Sequence, residues 1–139
     1  MYVLDTNVIS ELRKIKSGRA HEGVVCWANQ LSSSLLFISV ITILEIQTGI
    51  LSLAQRDTEQ ADRLRYWLNR QVLPAFAERT LHIDTAIAQR CASLQVPDRR
   101  VDRDAMIAAT ALEHDMIVAT RNIADFTATG VELVNPWEF

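Results

Sequence analysis

Five oxygen-bearing side chains stand where an α/β fold would gather them at one edge: Asp5, Glu45, Asp104, Asn122 and Asp125. Asp5 follows the apolar run Tyr2–Leu4, and Glu45 lies a few residues beyond the run Leu35–Ile38. Asn122 and Asp125 come just after Met116–Ala119, and Asp104 falls in the first turn of an Ala-rich helical segment. In open parallel sheets, sites form beyond the carboxyl ends of the strands. Carboxylates drawn together there repel one another, and some must take up protons. A hard divalent cation relieves the conflict. Mg²⁺ accepts oxygen ligands, keeps several waters, and is held by one or two carboxylates together with substrate phosphate. The chain has no Gly-rich phosphate loop ending in Lys-Ser/Thr and no G-x-S-x-G turn. His21, His82 and His114 are scattered without ligand spacing, which assigns them to the surface or to helix ends. Acids without a nucleophile–base pair point to metal-assisted hydrolysis.

Each acid also has a purely structural explanation. Thr42-Ile43-Leu44-Glu45 reads as a capping box, with Glu45 reaching back to a backbone N–H in the first turn of its helix. Asp102 and Asp104 are first-turn acids favoured by the helix dipole. Asn122 is a candidate cap for the turn containing Asp125. Asp5 resists such treatment, because a carboxylate adjoining a buried strand is poorly solvated and needs a partner.

The elements that must position these groups alternate along the chain. Short strands are predicted at Tyr2–Leu4, Leu35–Ile38, Leu81–Ile83, Met116–Thr120 and Val131–Val134. Helical spacing covers Asn7–Arg13, His21–Leu31, Thr42–Leu53, Thr58–Phe76, Thr85–Leu94 (capped by Asp84) and Asp102–His114, with a short turn at Ala124–Ala128. Pro74 bends or ends the fourth of these. Strands alternating with helices predict a parallel sheet sandwiched between helical layers. The runs at Leu35–Ile38 and Met116–Ala119 are continuously apolar, as strands buried on both faces are.

A length of 139 residues with 49% apolar composition fits one domain, 1–139, with a sizeable core. The longest apolar stretch is too short to span a bilayer, and the N-terminus lacks the basic start of a signal peptide; both place the chain in the cytoplasm, away from membranes. Cys26 and Cys91 sit in apolar helical contexts and read as buried, reduced thiols. The net charge of −3 argues mildly against nucleic-acid binding, but cations cluster locally. Arg13, Lys14, Lys16 and Arg19 crowd one segment, and Arg99, Arg100 and Arg103 another. Arg supplies twelve of the 14 cations, and its guanidinium suits forked phosphate contacts. The alternative is two solvated basic loops.

Four segments resemble the PIN-domain family: Val3–Glu11 its opening, Ser39–Ile46 its second motif, Asp104–Ala111 its third and Ala119–Phe126 its fourth. The ending Val134-Asn135-Pro136-Trp137 is similar to the VapC/FitB-like ribonuclease toxins. The motifs occur in family order along the whole chain. The resemblance implies a three-layer α/β/α sandwich with a short parallel sheet and an endoribonuclease dependent on Mg²⁺ or Mn²⁺. It also implies homodimers, and a cognate VapB-like antitoxin that covers the active site and provides the only link to DNA. The family's acidic positions fall on Asp5, Glu45 and Asp104. The fourth falls on Asn122, where many relatives carry Asp, so Asp125 is the candidate for the missing charge. Thr6 and Thr120 match positions whose hydroxyls support the acids. In the mechanism so implied, Asp5, Glu45 and Asp104 hold the ion, and water attacks in line, leaving a 5′-phosphate and a 3′-hydroxyl. Arg121, Arg99, Arg100 and Arg103 would hold flanking phosphates of the RNA, with Arg13, Lys14 and Lys16 along the rim.

Two other readings compete. The same site would serve a PIN-type nuclease acting on DNA or in RNA processing. A non-catalytic module would use the acids as caps and its apolar helix faces, including Ile43, Ile46 and Ile50, for contacts.

Overall fold

Alternation of side chains along three-residue strands decides the architecture. A computed structural model describes all residues, 1–139. Strands β1 (Tyr2–Leu4), β2 (Leu36–Ser39), β3 (Thr80–Leu81), β4 (Ile117–Ala119) and β5 (Leu133–Val134) form one sheet in the order β3-β2-β1-β4-β5, every pairing parallel. Val3 and Val118 point to one face, Leu4 and Ala119 to the other, as the period of two requires. Each face carries its own core. Leu4, Leu36, Ile38 and Ala119 pack with Val8, Trp27, Ile46, Ile50 and Leu68 on one side. Val3, Val118, Ile107, Ala108, Ala111 and Phe126 pack on the other. The result is the expected parallel sheet flanked by helices.

The helices are α1 (Thr6–Leu12), α2 (Glu22–Asn29), α3 (Val40–Ala54), α4 (Thr58–Trp67), α5 (Leu73–Ala75), α6 (Thr85–Ser93), α7 (Asp102–Glu113) and α8 (Ile123–Phe126). Most elements shift by one or two residues from the sequence expectation, and three differences matter for the architecture. First, α3 starts at Val40, with Ser39 as its cap: the Ser39 hydroxyl accepts from the Ile41 amide at 3.0 Å. Ser39 therefore ends the strand and caps the helix at once, and the Thr42–Glu45 capping box does not form. Second, the helix expected over Thr58–Phe76 gives way after Trp67 to a π-turn, Leu68–Val72, before α5. Proline has no N–H and its ring crowds the carbonyl four residues earlier; the widened turn directly ahead of Pro74 accommodates both. Third, β3 is Thr80–Leu81 rather than Leu81–Ile83. It is the sheet's edge strand beside β2, with Ile38 opposite Thr80 and Ser39 opposite Leu81.

The apolar residues of α3 also divide differently. Ile46 and Ile50 are core, while Leu44 and Leu51 are the exposed ones. Cys26 is exposed and Cys91 half-buried, so neither is the buried thiol expected. No helix is long and apolar enough to cross a membrane.

The C-terminal turn Pro136–Glu138 is seated on α2 through Gly23. A Cβ at that position would lie 2.8 Å from the Trp137 carbonyl oxygen and 2.9 Å from that of Pro136. Both obstacles are backbone and cannot swing aside. Gly23→Ala is therefore expected to destabilise the fold by about 1–3 kcal/mol, as overpacking does. A denaturant titration checks it, and a midpoint unchanged from the parent would show that the turn yields freely.

Candidate active site

The carboxyl end of the central strand forces Asp5 into the interior. Asp5 directly follows β1, caps α1 and is only 6% exposed. Its Oδ1 accepts from the Thr6 amide at 2.8 Å. Its Oδ2 accepts from the Thr120 hydroxyl at 2.8 Å and from the Asn7 side-chain amide at 3.4 Å. Thr120 directly follows β4, the neighbour of β1, which is why residues 115 positions apart meet. The Thr120 hydroxyl in turn accepts from the Asn122 amide at 2.9 Å, tying down the loop before α8.

Glu45 arrives from α3. It stands in the second turn of that helix, one turn later than expected, and accepts from the Thr6 hydroxyl at 2.8 Å. Its carboxylate is therefore turned to a residue next to Asp5, and the capping explanation does not apply. Thr42, one turn earlier, is buried and donates to the Leu4 carbonyl at 3.5 Å, tethering α3 to the end of β1. Asp104, in the first turn of α7, and Asp125, in α8, complete the set.

The electrostatics tie the four acids together. Burial pushes the Asp5 carboxyl up from its ordinary value against the pull of its Thr120 and Thr6 hydrogen bonds, and Glu45 and Asp125 add repulsion. Asp104 is pushed up to about 6, first by burial, then by repulsion from Asp5, Asp125 and Glu45. Carboxylates from β1, α3, α7 and α8 therefore feel one another. No three or more of these side chains are arranged so as to hold a metal ion in the present geometry. Their chemistry, oxygen only and with no thiol or imidazole, suits a hard ion that keeps part of its water shell, and repulsion at Asp104 is a deficit such an ion would cancel.

The remaining predicted residues separate into two groups. Asn122 is exposed, and its side chain makes no cap to α8. Its backbone, not its amide, engages the site. The fourth charge felt by Asp5 and Asp104 is that of Asp125. Arg121 is exposed, lies 5.4 Å from the Trp137 ring centre, and donates its amide to Asn7 Oδ1 at 3.3 Å. Of the basic loop, Arg99 pairs with Asp102 at 3.4 Å. Arg100 is used locally, giving its Nε to the Leu94 carbonyl and its amide to Gln95. Arg103 is exposed and has no ion-pair partner. On the other rim Lys14 pairs with Glu11 at 3.1 Å, and Arg13 lies 5.7 Å from the Trp67 ring centre. Asn7 was overlooked in the sequence, although it stands two residues from Asp5. It links Asp5 to the Arg121 loop, a contact that only the pairing of β1 with β4 creates.

The PIN domain family pattern matches residues 2–131. The chain belongs to the PIN-domain family. Among curated relatives of this PIN-domain chain, "VapC ribonuclease Y4jK" of Sinorhizobium fredii is 37% identical over 145 residues, covering 99% of both chains. "Toxin FitB" of Neisseria gonorrhoeae is 35% identical over 143 residues, again covering 99% of both. Among solved structures, the crystal structure of FitAcB from Neisseria gonorrhoeae matches with a TM-score of 0.88 and 33% identity over 100% of both chains. The PIN fold expected from the four motifs is thus present from one end of the chain to the other.

Proposed function

We propose that this PIN-domain chain is an endoribonuclease that hydrolyses RNA phosphodiester bonds with Mg²⁺ or Mn²⁺, and that it is the toxin of a toxin–antitoxin pair. The supporting observation is that Asp5, Glu45, Asp104 and Asp125 lie near enough at the carboxyl edge of the sheet for their repulsion to raise the carboxyls of Asp5 and Asp104, in a chain aligned end to end with proteins named ribonuclease and toxin. A protein antitoxin that covers the acids, and a homodimer, are part of the same reading.

Asp5, Glu45 and Asp104 would hold the ion, with Asp125 supplying the further charge that Asn122 lacks. Such an ion, when bound, supplies neutralising charge, polarises a phosphodiester and activates water. The chain's own groups set the geometry. Thr6 and Thr120 fix both oxygens of Asp5, and the Thr6 hydroxyl also fixes Glu45, so that two carboxylates share one positioning residue. At pH 7 Asp104, ordinarily protonated only below about 6 here, is mainly the carboxylate. Arg121 and Arg103, both exposed, would be free to meet phosphates of the strand.

The test is cleavage of RNA by the purified protein with Mn²⁺, followed by analysis of the ends. The expected products carry 5′-phosphate and 3′-hydroxyl; ends bearing 2′,3′-cyclic phosphate would overturn the reading. In the same assay Asp125→Asn should slow cleavage by about tenfold or more, the range for groups supporting an ion, while Asn122→Ala should have a smaller effect. The reverse order would assign the fourth position to Asn122.

A further inference from the structure

A cleft of about 400 Å³ opens beside Glu45, between α1, α3 and α4. Glu45 and Thr6, which are hydrogen-bonded to each other, are on its lining. Its walls are Ile46, Ile50, Leu53 and Trp67, with Arg13 and Arg56 on its lining. It continues into a second hollow of about 320 Å³ that shares Arg13, Gln60 and Leu64 with it and adds Arg19 and Arg63. Four of the chain's twelve arginines therefore face one continuous channel, in a protein of net charge −3. Glu45 is the one acid along its lining. Arg13, Arg19 and Arg56 have no carboxylate partner within 4 Å, and Arg63 has only a loose exposed pairing with Glu59 at 3.8 Å.

We propose that this channel is the track for a single-stranded RNA segment running from the scissile phosphate: phosphates lie along Arg13, Arg56, Arg19 and Arg63, and an unpaired base contacts Trp67 and its apolar neighbours. The inference rests on the nuclease reading and says where the strand goes. Its physical basis is the pairing of two features. Guanidinium groups without a close carboxylate attract an anionic backbone, and their charge is free to release counterions when they do. An aromatic ring among aliphatic walls offers a face that only an unstacked base can use, because a base in a duplex has its faces covered. The track reaches Glu45, where the anionic strand would otherwise be repelled, so the arginines supply the attraction that the acidic side lacks.

The test is binding of a ten-nucleotide single-stranded RNA of mixed sequence to the full chain in chelator, where nothing is cut. Arg19→Ala/Arg63→Ala is compared with Arg70→Ala/Arg90→Ala, which removes the same charge from residues that line neither hollow. The first pair should weaken binding by at least tenfold, and should lower the steepness of log K against log salt by about 1.4, at about 0.7 per lost phosphate contact. RNA carrying 5-iodouridine should photocrosslink to Trp67. Equal losses in the two pairs, or RNA affinity unchanged in the first while an acidic peptide loses its binding, would overturn the track; the latter would assign the channel to a protein partner. The outcomes separate from those of the nuclease reading. RNA held in the channel of a protein that never cuts would sink the activity and keep the track. Cleavage with an unaltered KM in Arg19→Ala/Arg63→Ala would do the opposite.

Discussion

Asp5→Asn is expected to abolish RNA cleavage while leaving the fold intact and no less stable. Even residues that merely support a metal ligand lower activity by 10–100-fold when removed, so loss of the carboxylate itself should exceed about a hundredfold. The stability half of the expectation follows from burial. Asp5 is nearly enclosed, and its charged form is disfavoured by that burial and by Glu45 and Asp125. Asparagine keeps the shape and one carbonyl oxygen for the Thr6 amide, and its amide can donate to the Thr120 hydroxyl. The charge is removed, the Thr6 bond survives and the Thr120 bond survives with its direction reversed, while the long bond from the Asn7 amide is lost. Asp5→Ala is the instructive contrast. It leaves the Thr120 hydroxyl and the Thr6 amide without their acceptor, at a cost of about 1–3 kcal/mol for an unsatisfied buried group. Cleavage assays and thermal melts of both variants check this. If the Asp5→Asn protein still cuts at the parent rate, Asp5 does not belong to the site.

That contrast also shows which parts of the site were legible in the sequence. Asp5 could be picked out because a charge directly after an apolar strand has no comfortable solvation. The strand order was not needed for that inference, only the adjacency. Glu45 was found by its position but misread in its local role, because the helix begins three residues earlier than Thr42 suggests. Both Ser39 and Thr42 are good caps, and nothing local distinguishes them. What decides is tertiary: Thr42 is buried against the Leu4 carbonyl, which leaves Ser39 to cap. Asn122 reads as a cap in the sequence, but its side chain is exposed and makes no cap bond, and it is its backbone N–H that is held, by the Thr120 hydroxyl.

The arginines of the channel illustrate the limit more sharply. Arg56 and Arg63 belong to the turn between α3 and α4 and to α4 itself, and by charge pattern alone they are ordinary surface residues. Only the packing of α4 against α3 brings them to one cleft with Arg13 and Arg19. Conversely, Arg99 and Arg100 formed the clearest basic run in the sequence, yet one is paired with Asp102 and the other holds the Leu94 carbonyl. Sequence clustering of charge measures proximity along the chain, whereas availability depends on which acceptors the fold has placed nearby.

Removal of divalent ions is expected to silence the protein completely, and the same repulsion should be visible as stability without any substrate. Between pH 4 and 6 the folded chain keeps a proton on Asp104 that the unfolded chain has released, since its carboxyl is raised from 3.8 to about 6. The folded state then binds more protons than the unfolded, and stability falls as pH rises through that window. Below it the penalty from this group is absent; above it the penalty is fully present. Asp104→Asn lacks the titration. The stability gap between this variant and the parent should therefore open from pH 4 to pH 6 and remain constant at higher pH. Mn²⁺ or Mg²⁺ added at pH 7.5 should close the gap by stabilising the parent alone, by about 2.7 kcal/mol at a hundredfold excess over Kd, a rise of several degrees in Tm. Cleavage should fall away with acid as protons compete with the ion for Asp104, at a pH that moves down as the ion concentration is raised. A gap independent of pH, with equal response of both proteins to the ion, would mean that Asp104 stands apart from the other acids. The shared charge at the sheet edge would then have no part in the chemistry.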